Sequence, residues 1–363
     1  MKKSHYCFLI LLVILSPLVV YLISVDLPKS YNKLKLSADF NAQSYLGLED
    51  PLNEGLTGNN ITVAVLDTGI YETHSVFGGL NWEDKIIGYY DWEINGTTTP
   101  PEDVDPNSHG TIVSSIIAGD GSTRDDPFSP LDDYSGIAPN SNLLSMKVFY
   151  DSAEDITSDV GTLENAIEWL KYNKDNYSVR VASMSLGVSY KSSENIKRYL
   201  DNLIDSLVDN NILTVVAAGN DGEFGLGTIE SPASAESALS VGAVDNNGEM
   251  ATFSAKGPTY DNIIKPDVCA PGVGIKGAIK GGTYSYGFIS GTSASTPFVS
   301  GLAALLLEKK NNLTALELKN IISLTSYRTI GPRTIKDNIQ GWGVVQGYAA
   351  IDALNPPTEI TTN

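Results

Sequence analysis

Two small hydroxyl residues stand where a glycine-led loop runs into an apolar stretch, in the segment SGTSASTP at residues 290–297. They are Ser293 and Ser295. A serine hydroxyl is inert near neutral pH unless an adjacent imidazole can accept its proton. The segment therefore indicates a nucleophilic serine only if the chain also supplies a base and hydrogen-bond donors for an oxyanion.

Only one of the three histidines is well placed to be that base. His5 lies in an apolar N-terminal run. His74, in YETHSVF, could be a surface residue or a weak metal ligand, and the surface position is favoured. His109, in NSHGTIVSSIIAG, is followed by Gly110 and an apolar helical run, so its ring should stand at the start of a buried helix. Imidazole is the natural acid–base group near neutral pH, which makes His109 the candidate.

Two polar residues follow strand-like runs directly. The run ITVAVL (61–66) leads into Asp67, and ILTVVAA (212–218) leads through a glycine into Asn220. Each could be an ordinary turn residue, because Asp-Thr-Gly and Gly-Asn suit turns. The carboxyl ends of parallel strands share one edge of a sheet, where ligand sites gather. Asn220, together with the main-chain amide of Ser293, could supply the two oxyanion donors.

The segment that follows Ser293 predicts a helix that is apolar nearly all round and therefore buried. Pro297 lacks an N–H and fits the first turn of a helix, so the helix should begin near Ser293. Ser293 would then lie among the free amide donors at the positive helix end. The alternative is an ordinary N-cap, which two glycines in the preceding loop, Gly287 and Gly291, make a poorer fit.

Short apolar runs and amphipathic helical stretches alternate from residue 61 to residue 354. The strand-like runs are 61–66, 143–149, 179–186 and 212–218, and the helical stretches are 158–173 and 194–210. Such alternation predicts an α/β fold with three layers, in which a mostly parallel central sheet has helices on both faces.

In the chain order Asp67, His109, Ser293, and in the flanks of these residues, the sequence resembles the subtilisin-like serine proteases. The matching segments cover nearly all of residues 55–354 and include VAVLDTGI (63–70), SHGTIVSSIIAG (108–119), SMSLG (183–187), AAGN (217–220) and SGTSASTP (290–297). The resemblance implies that Ser293 attacks the peptide carbonyl, His109 is base and then acid, Asp67 fixes the histidine tautomer, and Asn220 donates to the oxyanion.

The same resemblance assigns substrate-binding roles to Ser185, Leu186, Gly187, Ala218 and Gly219. These residues match segments that line the first specificity pocket and pair with the substrate as an additional strand. Main-chain pairing suits an extended peptide. Because the side chains there are small, we expect an open pocket that tolerates large apolar or varied side chains.

Three departures from the family pattern stand out. The usual Gly-Thr-Ser-Met-Ala reads Gly-Thr-Ser-Ala-Ser, which makes Ser295 a packing residue outside the position of the nucleophile. Ile112 replaces a second histidine, and Ser114 and Ser115 replace an Ala-Gly pair; both changes concern local packing. Exported relatives normally carry a folding prodomain, for which the roughly 40 residues between the leader and Asp67 are few, so unaided or assisted folding both stay open.

Composition and the N-terminus bear on partners and location. With 24 basic and 43 acidic side chains, the chain has a net charge of −19, which disfavours nucleic acid as a partner because phosphate binding needs a basic face.

Lys2 and Lys3 precede an apolar run over 7–23, so residues 1–24 are expected to be a cleaved signal peptide or a membrane anchor that exports the rest. The predicted peptidase domain spans 25–354, and a disordered tail spans 355–363.

The sequence therefore predicts an exported serine endopeptidase, a monomer acting on polypeptides, that needs no cofactor for its chemistry. Structural calcium could bind at acidic loops 102–105 and 125–133, although a solvated acidic loop is the simpler interpretation. Outside the leader, which holds Cys7, only Cys269 is present, so no internal disulfide is expected. The alternatives are a catalytically inactive binding protein on the same fold and a processing protease of narrow specificity.

Overall fold

A computed structural model gives the fold. The structure describes residues 42–48, 51–52, 55–78, 85–92, 96–97, 105–120, 134–151, 156–329 and 335–355, with two short segments at 10–11 and 22–23. Most of the predicted leader, the acidic loop 125–133 and all but the first residue of the predicted tail therefore lie outside the described residues. No described helix is long and apolar enough to cross a lipid bilayer.

The strands and helices are numbered in chain order. The strands are β1 Ile10–Leu11, β2 Leu22–Ile23, β3 Thr62–Asp67, β4 Ile86–Asp91, β5 Gly96–Thr97, β6 Asn142–Lys147, β7 Tyr150–Asp151, β8 Ile156–Thr157, β9 Val179–Met184, β10 Leu213–Ala217, β11 Leu239–Val244, β12 Val268–Pro271, β13 Ile275–Ala278 and β14 Tyr286–Ile289. The α-helices are α1 Ala42–Tyr45, α2 His109–Ala118, α3 Val160–Asn173, α4 Glu194–Asp209, α5 Thr292–Lys309, α6 Ala315–Leu324 and α7 Gly347–Asp352. Two short 3-10 helices span Ser75–Phe77 and Gly222–Phe224.

The central sheet has the strand order β12-β11-β10-β9-β3-β6-β4-β5, and its first seven strands are mutually parallel. Only the edge strand β5 runs antiparallel, to β4. Strands β1 and β2, β7 and β8, and β13 and β14 form separate antiparallel pairs. After β3 the chain forms β4 and β6 on one side of that strand and then crosses to β9 on its other side. In parallel sheets, ligand sites form where the strand order reverses in this way.

Alternating residues of the strands build the two cores. Val63 and Val65 of β3 pack with α2 and α5 on one face, whereas Ala64 and Leu66 pack with α3 and α4 on the other. Because both faces are covered, the inner strands are apolar almost throughout. The predicted three-layer α/β architecture is confirmed, and the four predicted strands and two predicted helices lie within two residues of their expected bounds.

One detail of the helix prediction is wrong. The helix α5 begins at Thr292, next to Ser293, as expected, but Pro297 is its sixth residue and lies in the second turn rather than the first. A proline there cannot donate to the carbonyl four residues earlier, which belongs to Ser293. The structure satisfies this carbonyl from outside the helix, because the hydroxyl of Ser185 donates to it.

Candidate active site

Side chains along β3 alternate between the two faces of the sheet, and this alternation determines which face the side chain of Asp67 lies on. Asp67 is the last residue of the strand and shares the parity of Val63 and Val65, so it faces α2 and α5. His109 is the first residue of α2, and its Nδ1 lies 2.7 Å from Oδ1 of Asp67. The aspartate side chain is 1% exposed and the histidine side chain 25% exposed, so the ring links a buried carboxylate to the solvent side.

Two opposing effects set the pKa of His109. Burial lowers it, because a low-dielectric surrounding disfavours the imidazolium. The negative charge of Asp67, the hydrogen bond to that carboxylate and the charge of Asp105 all raise it, and their sum prevails. The pKa of His109 therefore lies above its ordinary value of 6.5.

Asp105 connects the two loops that carry this pair. It is fully buried, and its Oδ1 accepts hydrogen bonds from Thr68 Oγ1 at 2.8 Å and from Ser108 N at 3.0 Å. Its Oδ2 accepts from the main-chain amide of Thr111 at 2.8 Å. The hydroxyl of Thr68 in turn accepts from Gly110 N at 2.8 Å. The carboxylate thus fixes the start of α2 against the loop that follows Asp67.

This network changes the interpretation of the acidic loop 102–105. Asp105, its only described residue, is occupied by hydrogen bonds from the protein, and burial raises its pKa. The described residues contain no group of three or more acidic, histidine or cysteine side chains arranged to hold a metal ion. Sequence reasoning missed the role of Asp105 because Thr68, its partner, is 37 residues away.

Ser293 lies at the start of the buried helix α5, which packs against α2. Its hydroxyl lies 3.3 Å from the carbonyl oxygen of Ser185, and the hydroxyl of Ser185 donates to the carbonyl of Ser293 at 2.9 Å. In this structure the Ser293 hydroxyl makes no hydrogen bond to His109. Asp67 therefore contacts His109 at the start of α2, whereas Ser293, near the start of α5, contacts Ser185.

The side chain of Asn220 is oriented by Thr292. Its Oδ1 accepts from the amide of Thr292 at 2.9 Å and from the hydroxyl of Thr292 at 3.2 Å. The amide nitrogen Nδ2 makes no hydrogen bond to a described residue. A Cβ placed on Gly291 would lie 3.5 Å from this nitrogen and 3.7 Å from the main-chain nitrogen of Ser293. The two predicted oxyanion donors are therefore neighbours.

The predicted substrate-binding residues lie in two segments, which we call the two walls of the predicted pocket. Ser185, Leu186 and Gly187 follow β9, whereas Ala218 and Gly219 follow the adjacent strand β10. Beside the first wall lies a cavity of about 240 Å³ whose lining includes Leu186, Gly187, Val160, Leu163 and Pro232.

Comparison with known proteins bears directly on this geometry. A family model described as the subtilase family matches residues 58–343. Serine protease AprX of Bacillus subtilis (strain 168) is 33% identical, with 74% of this chain and 61% of AprX aligned. Subtilisin Savinase of Lederbergia lenta is 32% identical, with 82% of this chain and 93% of Savinase aligned. This chain belongs to the subtilase family.

The solved structure of prenylagaramide maturation protease PagA is similar to this subtilase, with a TM-score of 0.64 at 29% identity over 85% of this chain and 98% of PagA. The resemblance found in the sequence is thereby confirmed. The subtilase chain spans about three fifths of the length of the first curated relatives that it matches, 61% for AprX and 62% for subtilisin E of Bacillus subtilis (strain 168).

One residue prediction for this subtilase is wrong. His74 is fully buried rather than at the surface. Its Nδ1 accepts from Val76 N at 3.1 Å and its Nε2 lies 2.8 Å from Ser285 O, which suits a neutral ring protonated on Nε2. Burial lowers the pKa of His74 to about 4 despite the hydrogen bond to Ser285.

The predicted pocket has a further neighbour that the sequence did not indicate. Glu230 lies between the two walls, where a Cβ on Gly187 would come within 2.7 Å of its Oε2. The prediction considered only the residues of the walls and missed this side chain. A single acidic residue in a loop has no periodicity that would have revealed it.

The family departures noted in the sequence have packing roles. Ser295 is fully buried and donates to the carbonyl of Ala270 at 3.0 Å. Ser115 is also buried, and its hydroxyl accepts from the amide of Ala278 at 3.0 Å. Each side chain forms a hydrogen bond between a helix and a neighbouring strand, and the burial of Ser295 agrees with the packing role predicted for it.

Proposed function

We propose that this subtilase is a serine endopeptidase that hydrolyses peptide bonds through an acyl-enzyme on Ser293. The observation that carries the proposal is the 2.7 Å pair of Asp67 and His109 at the first residue of α2, beside the helix that begins next to Ser293. A buried carboxylate against one nitrogen of an imidazole whose other side is accessible is the arrangement that a general base requires.

The pair determines the tautomer of the neutral ring. Because Nδ1 faces a carboxylate, it carries the proton and donates to Asp67, which leaves the lone pair on Nε2. In the proposed reaction the Ser293 hydroxyl turns from Ser185 O toward His109 and gives its proton to Nε2 as its oxygen bonds to the peptide carbonyl carbon. Catalytic hydrogen bonds commonly tighten only when substrate is bound.

The carbonyl oxygen then carries a negative charge. Nδ2 of Asn220 and the main-chain amide of Ser293 are the proposed donors to it. When the tetrahedral intermediate collapses, the C–N bond breaks and the leaving amine takes the proton from His109. A water molecule repeats the sequence on the ester, with His109 removing its proton, and releases the second product and free Ser293.

The proposed substrate is an extended polypeptide that pairs with the segments 185–187 and 218–219. All of the proposed chemistry uses side-chain and main-chain groups of the protein itself. We also propose export, because of the apolar run over residues 7–23 behind Lys2 and Lys3.

The proposal is tested by reacting the full chain with a fluorophosphonate probe and locating the adduct by peptide mass spectrometry. We expect modification of Ser293 in the wild-type protein, and no modification in Ser293→Ala or His109→Ala. The variant Ser295→Ala, two residues away, is the control and should label normally. Absence of any adduct on folded wild-type protein would favour the inactive binding protein and overturn the proposal.

A further inference from the structure

Residues 230–231 join the two walls of the predicted substrate pocket. The amide of Glu230 donates to the carbonyl of Ala218 at 3.0 Å, and the carbonyl of Ser231 accepts from the amide of Val188 at 2.7 Å. The main chain at Glu230 is thus fixed to the segment after β10, and the next residue to the segment after β9. Glu230 is thereby held between the two walls.

The side chain of Glu230 extends into that space. A Cβ on Gly187 would lie 2.7 Å from Oε2 of Glu230, and a Cβ on Gly219 would lie 2.9 Å from Oε1. Both glycines therefore make room for the carboxylate, one from each wall. The side chain is only partly buried, which leaves it open to a ligand that enters between the walls.

No described lysine or arginine forms an ion pair with this carboxylate. Burial raises the pKa of Glu230 to about 7, the charge of Asp221 adds to the increase, and a hydrogen bond from the main-chain amide of Asn220 opposes it. A charged carboxylate that has lost part of its hydration and has no cationic partner carries a desolvation free-energy cost. A cation bound next to Glu230 would offset that cost.

We propose that Glu230 makes this pocket select a lysine or arginine side chain in the substrate residue on the acyl side of the scissile bond. The inference rests on the proposed function, since it assigns a substrate class to the same site. The geometry places the Glu230 carboxylate between the two predicted walls, where it accepts a hydrogen bond from the main-chain amide of Asn220. A cation bound there would therefore lie beside the proposed oxyanion donor.

The test compares kcat/KM for matched peptides that carry Lys, Arg, Leu or Gln at that position. At pH 8.5 we expect the cationic peptides to exceed the Leu peptide by at least about 10-fold, because a partly desolvated charge pair discriminates strongly. Glu230→Gln should abolish most of this ratio while it retains cleavage of the Leu peptide. Glu223→Gln, an exposed glutamate seven residues earlier, is the matched control and should keep the wild-type ratio.

The pH dependence gives a second, independent readout. The ratio of kcat/KM for the Lys peptide to that for the Leu peptide cancels the titration of His109, which both reactions share. We expect this ratio to rise with pH through about 7 in the wild type, as Glu230 loses its proton, and to stay flat in Glu230→Gln.

Equal rates for the Lys and Leu peptides in the wild type would overturn the inference, and so would an unchanged ratio in Glu230→Gln. Neither result would affect the proposed function, because both require peptide cleavage. If no peptide is cleaved and the fluorophosphonate leaves Ser293 unmodified, the proposed function has failed, and the specificity inference fails with it.

Discussion

The hydroxyl of Ser185 donates a 2.9 Å hydrogen bond to the main-chain carbonyl of Ser293. Within α5 that carbonyl would bond to the amide of residue 297, which is a proline and has none. A serine just after β9 therefore replaces a missing helix hydrogen bond at the residue that we propose as nucleophile. The contact links the wall of the pocket to the position of that nucleophile.

The change Ser185→Ala should lower both stability and turnover. It leaves a carbonyl without its partner, which costs about 1–3 kcal/mol of unfolding free energy. Displacement of Ser293 should lower kcat by roughly 10-fold or more, because small errors in position are costly to the chemical step. Denaturant unfolding and steady-state kinetics on a peptide with Leu at the specificity position measure the two effects.

Ser183→Ala is the matched control for this prediction. Ser183 lies two residues earlier, within β9, and its hydroxyl accepts a hydrogen bond from the Ser300 hydroxyl at 2.9 Å. Its removal should also reduce stability, yet kcat should stay within about twofold of the wild type, since the contact lies one turn or more from Ser293. An equal loss of kcat in both variants would show that the effect of Ser185→Ala is merely one of stability.

The proposed oxyanion donor gives a second prediction. Replacing Asn220 by Ala removes Nδ2 from the neighbourhood of the Ser293 amide, and we expect kcat to fall by about 10²–10³-fold with little change in KM. Single-turnover kinetics measure the acylation step directly. Thr292→Ser, which keeps the hydroxyl that holds Oδ1 of Asn220, should retain most of the activity. An Asn220→Ala enzyme with a normal rate would place the oxyanion elsewhere.

A buried charge cluster supports the fold far from the proposed site. Asp267 is 2% exposed and accepts from Lys265 and Lys336, each at 2.7 Å, and from the amide of Ser240 at 2.9 Å. Burial alone would raise the pKa of Asp267, but the charges of Lys265, Lys319 and Lys336 outweigh it and hold the pKa well below its usual range.

Asp267→Asn should therefore destabilise the protein by about 3–5 kcal/mol, the usual effect of removing one partner of a buried ion pair. Because the folded-state pKa is lowered, the wild-type contribution is present above the unfolded pKa of about 3.9 and is lost as pH falls toward the folded value. Urea unfolding at pH 7 and pH 3 measures it. The exposed aspartate at the end of α4 provides the control Asp209→Asn, which should change stability by less than about 0.5 kcal/mol. A similar small change for Asp267→Asn would contradict the prediction.

What the sequence predicted correctly comes from local signals. The apolar run before Asp67 marks a strand with a polar end, and the glycine after His109 marks the start of a buried helix. Each needs only its neighbours to be recognised. Once the parallel sheet is inferred, the ends of its strands and helices must meet at one edge, so these two residues were expected together, as the structure shows.

What the sequence did not reveal depends on distant partners. The ring of the buried His74 is satisfied by Ser285, 211 residues later, whose carbonyl accepts from it. Pro297 is tolerated in a second turn because Ser185 supplies the missing donor from another element. The main chain of Glu230 is fixed beside the segment 218–219 by its hydrogen bond to Ala218, 12 residues earlier. No local pattern reports which residue will stand opposite such a side chain.

The raised pKa of His109 leads to a prediction about pH. The ring must be neutral to accept a proton, and its pKa lies above 6.5 because the charges of Asp67 and Asp105 outweigh burial. For the peptide with Leu at the specificity position, kcat/KM should therefore rise with pH with a midpoint above 6.5. A midpoint at or below 6.5 would contradict the assigned role of these carboxylates.

Asp105→Asn separates the two carboxylates. It removes one negative charge that favours the imidazolium while Asp67 still holds Nδ1 of His109, so the midpoint of the kcat/KM profile should move to lower pH. The unpaired amide hydrogens facing Thr111 should also cost about 1–3 kcal/mol of stability. Asp91→Asn, a buried carboxylate on β4 that pairs with Lys147, should leave the midpoint unchanged. An identical shift in both variants would mean that the profile reports general loosening of the fold rather than the charge of Asp105.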